Sequence, residues 1–111
     1  MSAITTHVLD TARGRPAAGV PVRLEAISSS GVSTLAQEVT NDDGRVPELG
    51  PDEIEAGTFR LTFDTASYFG ATDQPAFFPE VSITFAVQDP SQHYHVPVLL
   101  GPFAWSTYRG S

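Results

Sequence analysis

Apolar residues in this chain recur at every second position, and that period dictates most of what the chain can fold into. In "GVPVRLEAI", Val20, Val22, Leu24 and Ala26 fall on one side and Arg23 and Glu25 on the other. "TFRLTFD" sets Phe59, Leu61 and Phe63 against Arg60 and Thr62, and "EVSITFAV" aligns Val81, Ile83, Phe85 and Val87. Successive side chains of an extended strand point to opposite faces, so a period of two marks a strand with one buried face. The segments are short and rich in β-branched and aromatic residues. They are separated by the turn-forming runs "ARGRPAAG", "SSSG", "NDDG", "ELGPDE" and "QDPSQ". This punctuation predicts about eight strands, near 3–10, 20–28, 33–40, 45–49, 58–64, 81–88, 92–100 and 103–109, the one near 45–49 lying at an edge. One stretch, "DTASYFGATDQPAFFPE", breaks the period. It begins on Asp64, a residue suited to cap a helix, and predicts one short helix after the strand containing Phe63. Many short strands, frequent turns and one helix imply an all-β fold, an antiparallel sandwich with Greek-key connections. No repeat or low-complexity segment interrupts it, and residues 1–111 are expected to form a single domain.

Composition narrows the function classes. The formal net charge is −7, and all six basic residues are arginines: Arg13, Arg15, Arg23, Arg45, Arg60 and Arg109. An acidic, lysine-free chain is poorly suited to a phosphate backbone, so no nucleic-acid partner is expected. The acidic residues are scattered through turns such as "NDDG" and "PDEIE", as on an ordinary solvated surface. No apolar run approaches the ~20 residues of a membrane helix. The start "MSAITTHVLD" lacks the basic and apolar regions of a signal peptide, and cysteine is absent. Both point to a cytoplasmic protein without disulfides.

Two segments carry more than core logic. In "ITTHVLD", Ile4, Thr6 and Val8 share one face while Thr5, His7 and Leu9 share the other. In "HYHVPVLL", His93 and His95 share a face, and Tyr94, Val96 and Val98 supply the opposite, core side. The imidazoles therefore point out of the sandwich. Pro97, on the same outward face, suggests an edge or an irregular end of the ladder. Residue chemistry leaves the histidines open between surface residues without a role, a metal pair of His-x-His spacing, and acid–base or ligand chemistry. Arg45, after the tight turn in "NDDGRVPE", is either solvated or a planar fork for a carbonyl-rich or anionic ligand. Nucleophile and nucleotide motifs are absent, and neither Ser106 nor Ser111 shows an activating signature, so covalent catalysis lacks support.

The end "HYHVPVLLGPFAWSTYRGS" resembles the signature ending of the 5-hydroxyisourate hydrolases, the transthyretin-related enzymes of purine breakdown. That ending reads approximately H-Y-H-V-P-L-L-L-S-P-x-x-Y-S-T-Y-R-G-S. This chain departs conservatively, with Val98 for Leu, Gly101 for Ser and Trp105 for Tyr. "THVLDTARGRPAAGVPVRL" is similar to the family's opening strand and turn, and "TNDDGRV" and "FRLTFDTASYF" match in order and spacing along the whole chain. The resemblance implies a transthyretin-like sandwich of two four-stranded sheets, assembled as a homotetramer, a dimer of dimers with its sites where dimers meet. It implies hydrolysis of 5-hydroxyisourate, opening the six-membered ring at the N1–C6 amide bond. The product is 2-oxo-4-hydroxy-4-carboxy-5-ureidoimidazoline, and neither metal nor organic cofactor is needed. The site residues carried over are His7, Arg45, His95, Tyr108 and Ser111. His7 and His95 are expected to manage proton transfer, Arg45 to hold ureide oxygens and the developing oxyanion, and Tyr108 to pack against or hydrogen-bond the ring. The resemblance assigns no role to His93, nor does it say which histidine is the base. The alternative on the same fold is a small-molecule carrier, as transthyretin is for thyroid hormone.

The ending also implies that Ser111, with its α-carboxylate, is held in place and helps to position the site. An extension appended after Ser111 is then expected to lower turnover more than the same extension placed before Met1. Equal turnover of the two proteins would leave the terminus without a role.

Overall fold

The computed structural model describes residues 2–111. Its elements in chain order are β1 (Ile4–Asp10), β2 (Arg15–Pro16), β3 (Pro21–Ser28), β4 (Gly31–Val39), β5 (Gly57–Phe63), α1 (Thr65–Ala71), β6 (Val81–Val87), β7 (Tyr94–Leu100) and β8 (Trp105–Thr107). They form two four-stranded sheets, ordered β2-β1-β7-β8 and β4-β3-β5-β6. The expected all-β sandwich with one short helix is present. The alternation places its apolar sets inside: Ile4 and Val8 of β1, Val22 and Leu24 of β3, Phe59, Leu61 and Phe63 of β5, Val81, Ile83 and Val87 of β6, and Val96, Val98 and Leu100 of β7 are all buried. Burying such side chains is worth about 1.5–3 kcal/mol each, which is what holds the two sheets face to face. Asp64 caps α1 as expected, accepting from Ser67 N–H (3.1 Å) and Ser67 Oγ (2.7 Å).

Several features differ from the sequence expectation. The sandwich is not wholly antiparallel: β1 and β7 run parallel in register from Ile4↔Tyr94 to Asp10↔Leu100. No strand forms near 45–49; Arg45 makes only an isolated bridge to His7. The short strand on the far side of β1 is Arg15–Pro16, from a run read as pure turn. The turn at Gly44 causes this, because Gly44 O accepts Val8 N–H (2.8 Å) and Val8 O accepts Ala17 N–H (2.9 Å), so both segments share the edge of β1.

Pro97 lies in an interior strand, not at an edge, and its effect falls on β8. Gly110 N–H donates to His95 O (2.8 Å), so the inter-strand bonds at that pair are of the narrow type. Such pairs alternate along an antiparallel ladder, which makes Pro97 the next residue required to donate to β8. Proline has no N–H to give. Its carbonyl accepts from Thr107 Oγ1 instead (2.8 Å), and the regular part of β8 ends at Thr107, short of the expected 109.

A buried carboxylate closes the end of β1. Asp10, 1% exposed, accepts from Tyr68 Oη (2.5 Å), Gln74 Nε2 (3.1 Å), Arg13 N–H (2.9 Å) and Ala12 N–H (3.0 Å). Burial pushes its pKa up, but Tyr68, Arg13, Gln74 and Ala12 together hold it below the ordinary 3.8. The Tyr68 phenol is pushed up to about 12, first by burial and then by its bond to Asp10, so it remains a donor. The carboxylate's contribution is fully present above pH 3.8 and is lost as pH falls through its lower folded value. Asp10→Asn places an amide donor among these donors and is expected to cost about 2–3 kcal/mol at pH 7. The gap between wild type and Asp10→Asn in urea unfolding should close as pH drops below that value. A constant gap would refute the charged role.

Candidate active site

The site is built on the outward face of the sheet containing β1 and β7. Thr5, His7 and Leu9 alternate outward from β1 between buried Ile4, Thr6, Val8 and Asp10. Parallel pairing sets Thr5 beside His95 and His7 beside Pro97, so both outward histidines lie on neighbouring strands ~4.8 Å apart. Thr6 reinforces this pairing by donating from Oγ1 to Val96 O (2.7 Å). On the other side of β1, Gly44 (φ +75°) makes the turn that delivers Arg45. A Cβ there would stand 2.3 Å from Val8 O, so only glycine permits this approach. Arg45 then bridges His7 through the backbone, and its exposed guanidinium has no ion-pair partner among the described residues.

His95 is half-buried. Its Nδ1 lies 2.8 Å from Thr5 Oγ1, which is also 2.9 Å from Nε2 of the exposed His93. Burial lowers the His95 pKa below 6.5, and the nearby charges of Arg45, His7 and His93 lower it further. Both effects favour the neutral ring, the form in which it can accept a proton. The His-x-His nitrogens meet a hydroxyl, and among the described residues no group of three His, Asp or Glu side chains is arranged to hold a metal.

Three of the five expected site residues, His7, Arg45 and His95, thus share one face. Tyr108 is 59% exposed and borders a groove with Ile83, Phe85, Tyr94 and Thr107. Among the described residues, no hydrogen bond joins Tyr108 or Ser111 to His7, Arg45 or His95. Gly110 touches the site most closely: a Cβ on it would meet His95 Cδ2 at 2.6 Å, so the missing side chain is room for the imidazole. Arg109 fastens this segment by lying 4.3 Å above the Tyr94 ring and donating to Gln92 Oε1 (2.8 Å). Sequence reasoning missed Thr5 and Gly110. The alternation of β1 already set Thr5 on the face of His7, but its contact with the histidine pair depends on a partner strand some ninety residues away.

A family model described as the HIUase/Transthyretin family matches residues 4–110. The chain is 46% identical over 113 residues to the 5-hydroxyisourate hydrolase of Deinococcus radiodurans, covering 97% of this chain and 95% of that one. It superimposes on the structure of Klebsiella pneumoniae 5-hydroxyisourate hydrolase with a TM-score of 0.85 at 38% identity, covering 97% of this chain and 98% of that one. Sea bream transthyretin in complex with thyroxine superimposes with a TM-score of 0.90 at 26% identity, covering 97% of this chain and 94% of that one.

The electrostatics of the face can be measured directly. The NMR titration midpoint of His95 is expected below 6.5 and should rise in Arg45→Met, where a cation that disfavours imidazolium is gone. A midpoint unmoved by that substitution would separate Arg45 from the site.

Proposed function

The chain belongs to the HIUase/Transthyretin family, and we propose that it hydrolyses 5-hydroxyisourate, the substrate named for its relatives in Deinococcus radiodurans and Klebsiella pneumoniae. The observation that carries this reading is the shared face of His7, Arg45 and a half-buried His95. A carrier of an apolar ligand has no need of two imidazoles and an exposed guanidinium on one face.

In the proposed mechanism, Arg45 holds the flat ureide oxygens and fixes the ring over the sheet. Nε2 of His95 takes a proton from water as its oxygen attacks C6. Arg45 stabilises the oxyanion that forms on the C6 oxygen. The C6–N1 bond then breaks, N1 takes a proton from the imidazole pair, and C6, still bonded to the rest of the molecule, becomes a carboxyl group that loses its remaining proton to solvent. His7, bridged to Arg45, is suited to orient the water or deliver that proton. Tyr108 and Ser111 are proposed to complete the substrate site, with Tyr108 against the ring. Neither a metal nor a cofactor enters the scheme.

Assembly belongs to the same proposal. The face carrying His7, Leu9, His95, Pro97 and Leu99 is half apolar, and a second copy covering it would exclude water from the reaction. We propose a homotetramer, a dimer of dimers with sites at the dimer–dimer contact, formed from one domain spanning residues 1–111. A cytoplasmic location is proposed from the absence of cysteine. No helix among the described residues is long and apolar enough to cross a membrane.

Freshly prepared 5-hydroxyisourate, followed by its ultraviolet decay, tests the reading. Turnover well above the spontaneous rate is expected, with losses of about 10²-fold or more in His7→Ala and His95→Ala. Decay at the background rate, with ligand bound but unchanged, would move the chain to the carrier branch.

A further inference from the structure

One hydroxyl connects the two histidines of the H-Y-H segment. Thr5 Oγ1 lies 2.8 Å from His95 Nδ1 and 2.9 Å from His93 Nε2. Both contacts are of ordinary hydrogen-bond length. A threonine hydroxyl has one proton to donate and lone pairs with which to accept. It can therefore donate to only one of the two nitrogens, and the other must carry its own proton toward Thr5. When that hydrogen lies between the rings, it ties their protonation patterns together.

Two neutral arrangements place the Thr5 proton between the rings; in a third, both rings donate to Thr5 and its hydroxyl proton points elsewhere. In the first, Thr5 donates to His93 Nε2 and His95 donates from Nδ1–H to Thr5. The His95 Nε2 lone pair is then free on the open face. In the second, Thr5 donates to His95 Nδ1, His93 donates from Nε2–H, and His95 carries its proton on Nε2. Of the two that share the Thr5 proton, only the first leaves His95 a base. The rings also differ in setting: His95 is half-buried and pressed by Gly110, while His93 is exposed to water. Arg109 fixes the approach of His93 by donating to Gln92 Oε1 (2.8 Å) and His93 O (3.4 Å).

We propose that Thr5 is a positioning residue that sets the tautomer of His95 and relays its proton to His93. The inference rests on the hydrolase reading for its consequence in turnover. When Nε2 of His95 takes the proton of the attacking water, the ring becomes an imidazolium. Its Nδ1 proton passes to Thr5 Oγ1 while the Thr5 hydroxyl proton passes to His93 Nε2. Positive charge leaves the half-buried ring, where Arg45 and His7 oppose it, for the exposed one, where water solvates it. His93 then loses its Nδ1 proton to solvent, so no proton accumulates. His95 is left with hydrogen on Nε2, ready to supply N1 as the C6–N1 bond breaks; as it donates, Thr5 returns a proton to His95 Nδ1, His93 Nε2 returns one to Thr5, and His93 Nδ1 regains one from solvent, which restores the starting arrangement. The threonine is suited to this because its β-branched frame holds χ1 in the strand while its hydroxyl stays free to turn.

Thr5→Val keeps the branched shape and removes only the hydroxyl; Thr5→Ser restores it. Thr5→Val is expected to lower kcat about ten-fold, the scale of one hydrogen bond, with KM changed less than about two-fold. Thr5→Ser should recover most of that loss. The independent readout is the ¹⁵N spectrum of the His95 ring in protein without substrate. The wild type and Thr5→Ser should show a protonated Nδ1 and an unprotonated Nε2, and Thr5→Val a mixture of tautomers. An identical His95 tautomer in wild type and Thr5→Val, or a kcat within two-fold of wild type, overturns the proposal. The spectrum needs no turnover, so it tests the relay even where 5-hydroxyisourate is not the substrate. Thermal melting of each variant identifies any that fails to fold. In that event the ¹⁵N spectrum of the wild type decides alone, and an Nε2-protonated ring rules the relay out.

Discussion

The parallel pairing of β1 with β7 is the interaction on which the other features depend. Seven residues from the first ten of the chain lie in register with seven from the last eighteen. Closing so long a loop costs entropy that grows only slowly with length, while the ladder and the apolar pairs beneath it offset that cost many times over. Ile4, Val8, Val96, Val98 and Leu100 form the inner side of this pairing, and Thr5, His7, His95 and Leu99 the outer. The same alternation that excludes water from one side thus collects imidazoles on the other. Slipping the register by one residue would turn every one of these side chains to the wrong face.

Around that pairing, small and donor-poor residues decide the details. Gly44 admits the turn that lays Arg45 beside His7, and Gly110 leaves the space that the His95 ring fills. Pro97 removes one donor from the β7–β8 ladder, so the chain past Thr107 is released from regular pairing before Gly110 rejoins at His95. At the far end of β1, the Asp10 carboxylate gathers donors from α1 and the following turn, tying the helix to the sheet that carries the site. Three imidazoles and a guanidinium gather on one face. Burial, and then these neighbouring groups, lower the His95 pKa, which favours the form able to accept a proton.

The alternation made most of the fold legible: the strand segments, the helix after Phe63 and its Asp64 cap could all be taken from spacing and turn chemistry. Parallel pairing could not, because period two is the same whichever direction a neighbour runs. The expected strand near 45–49 failed for a related reason. "RVPEL" has the pattern of a strand, yet its backbone meets β1 only at His7, since the edge beyond is taken by Arg15–Pro16. Of the site, His7, Arg45 and His95 could be singled out from face and family resemblance, whereas Thr5 could not. A threonine on a strand is unremarkable until two ring nitrogens are brought within 3 Å of it.

By itself the sequence determined the period, and with it which side chains are buried and which imidazoles face outward, because alternation is a local property of an extended chain. It also determined the punctuation, since glycine, proline and aspartate act on their own backbone or within a few residues of it. Only the tertiary structure decided that β1 and β7 are neighbours and parallel, that Gly110 lies against His95, and that Thr5 stands between two histidines. The first and last of these contacts join positions some ninety residues apart in the chain, the Gly110 contact joins neighbouring segments, and the geometry of all three is fixed by packing across the sandwich, not by any local preference.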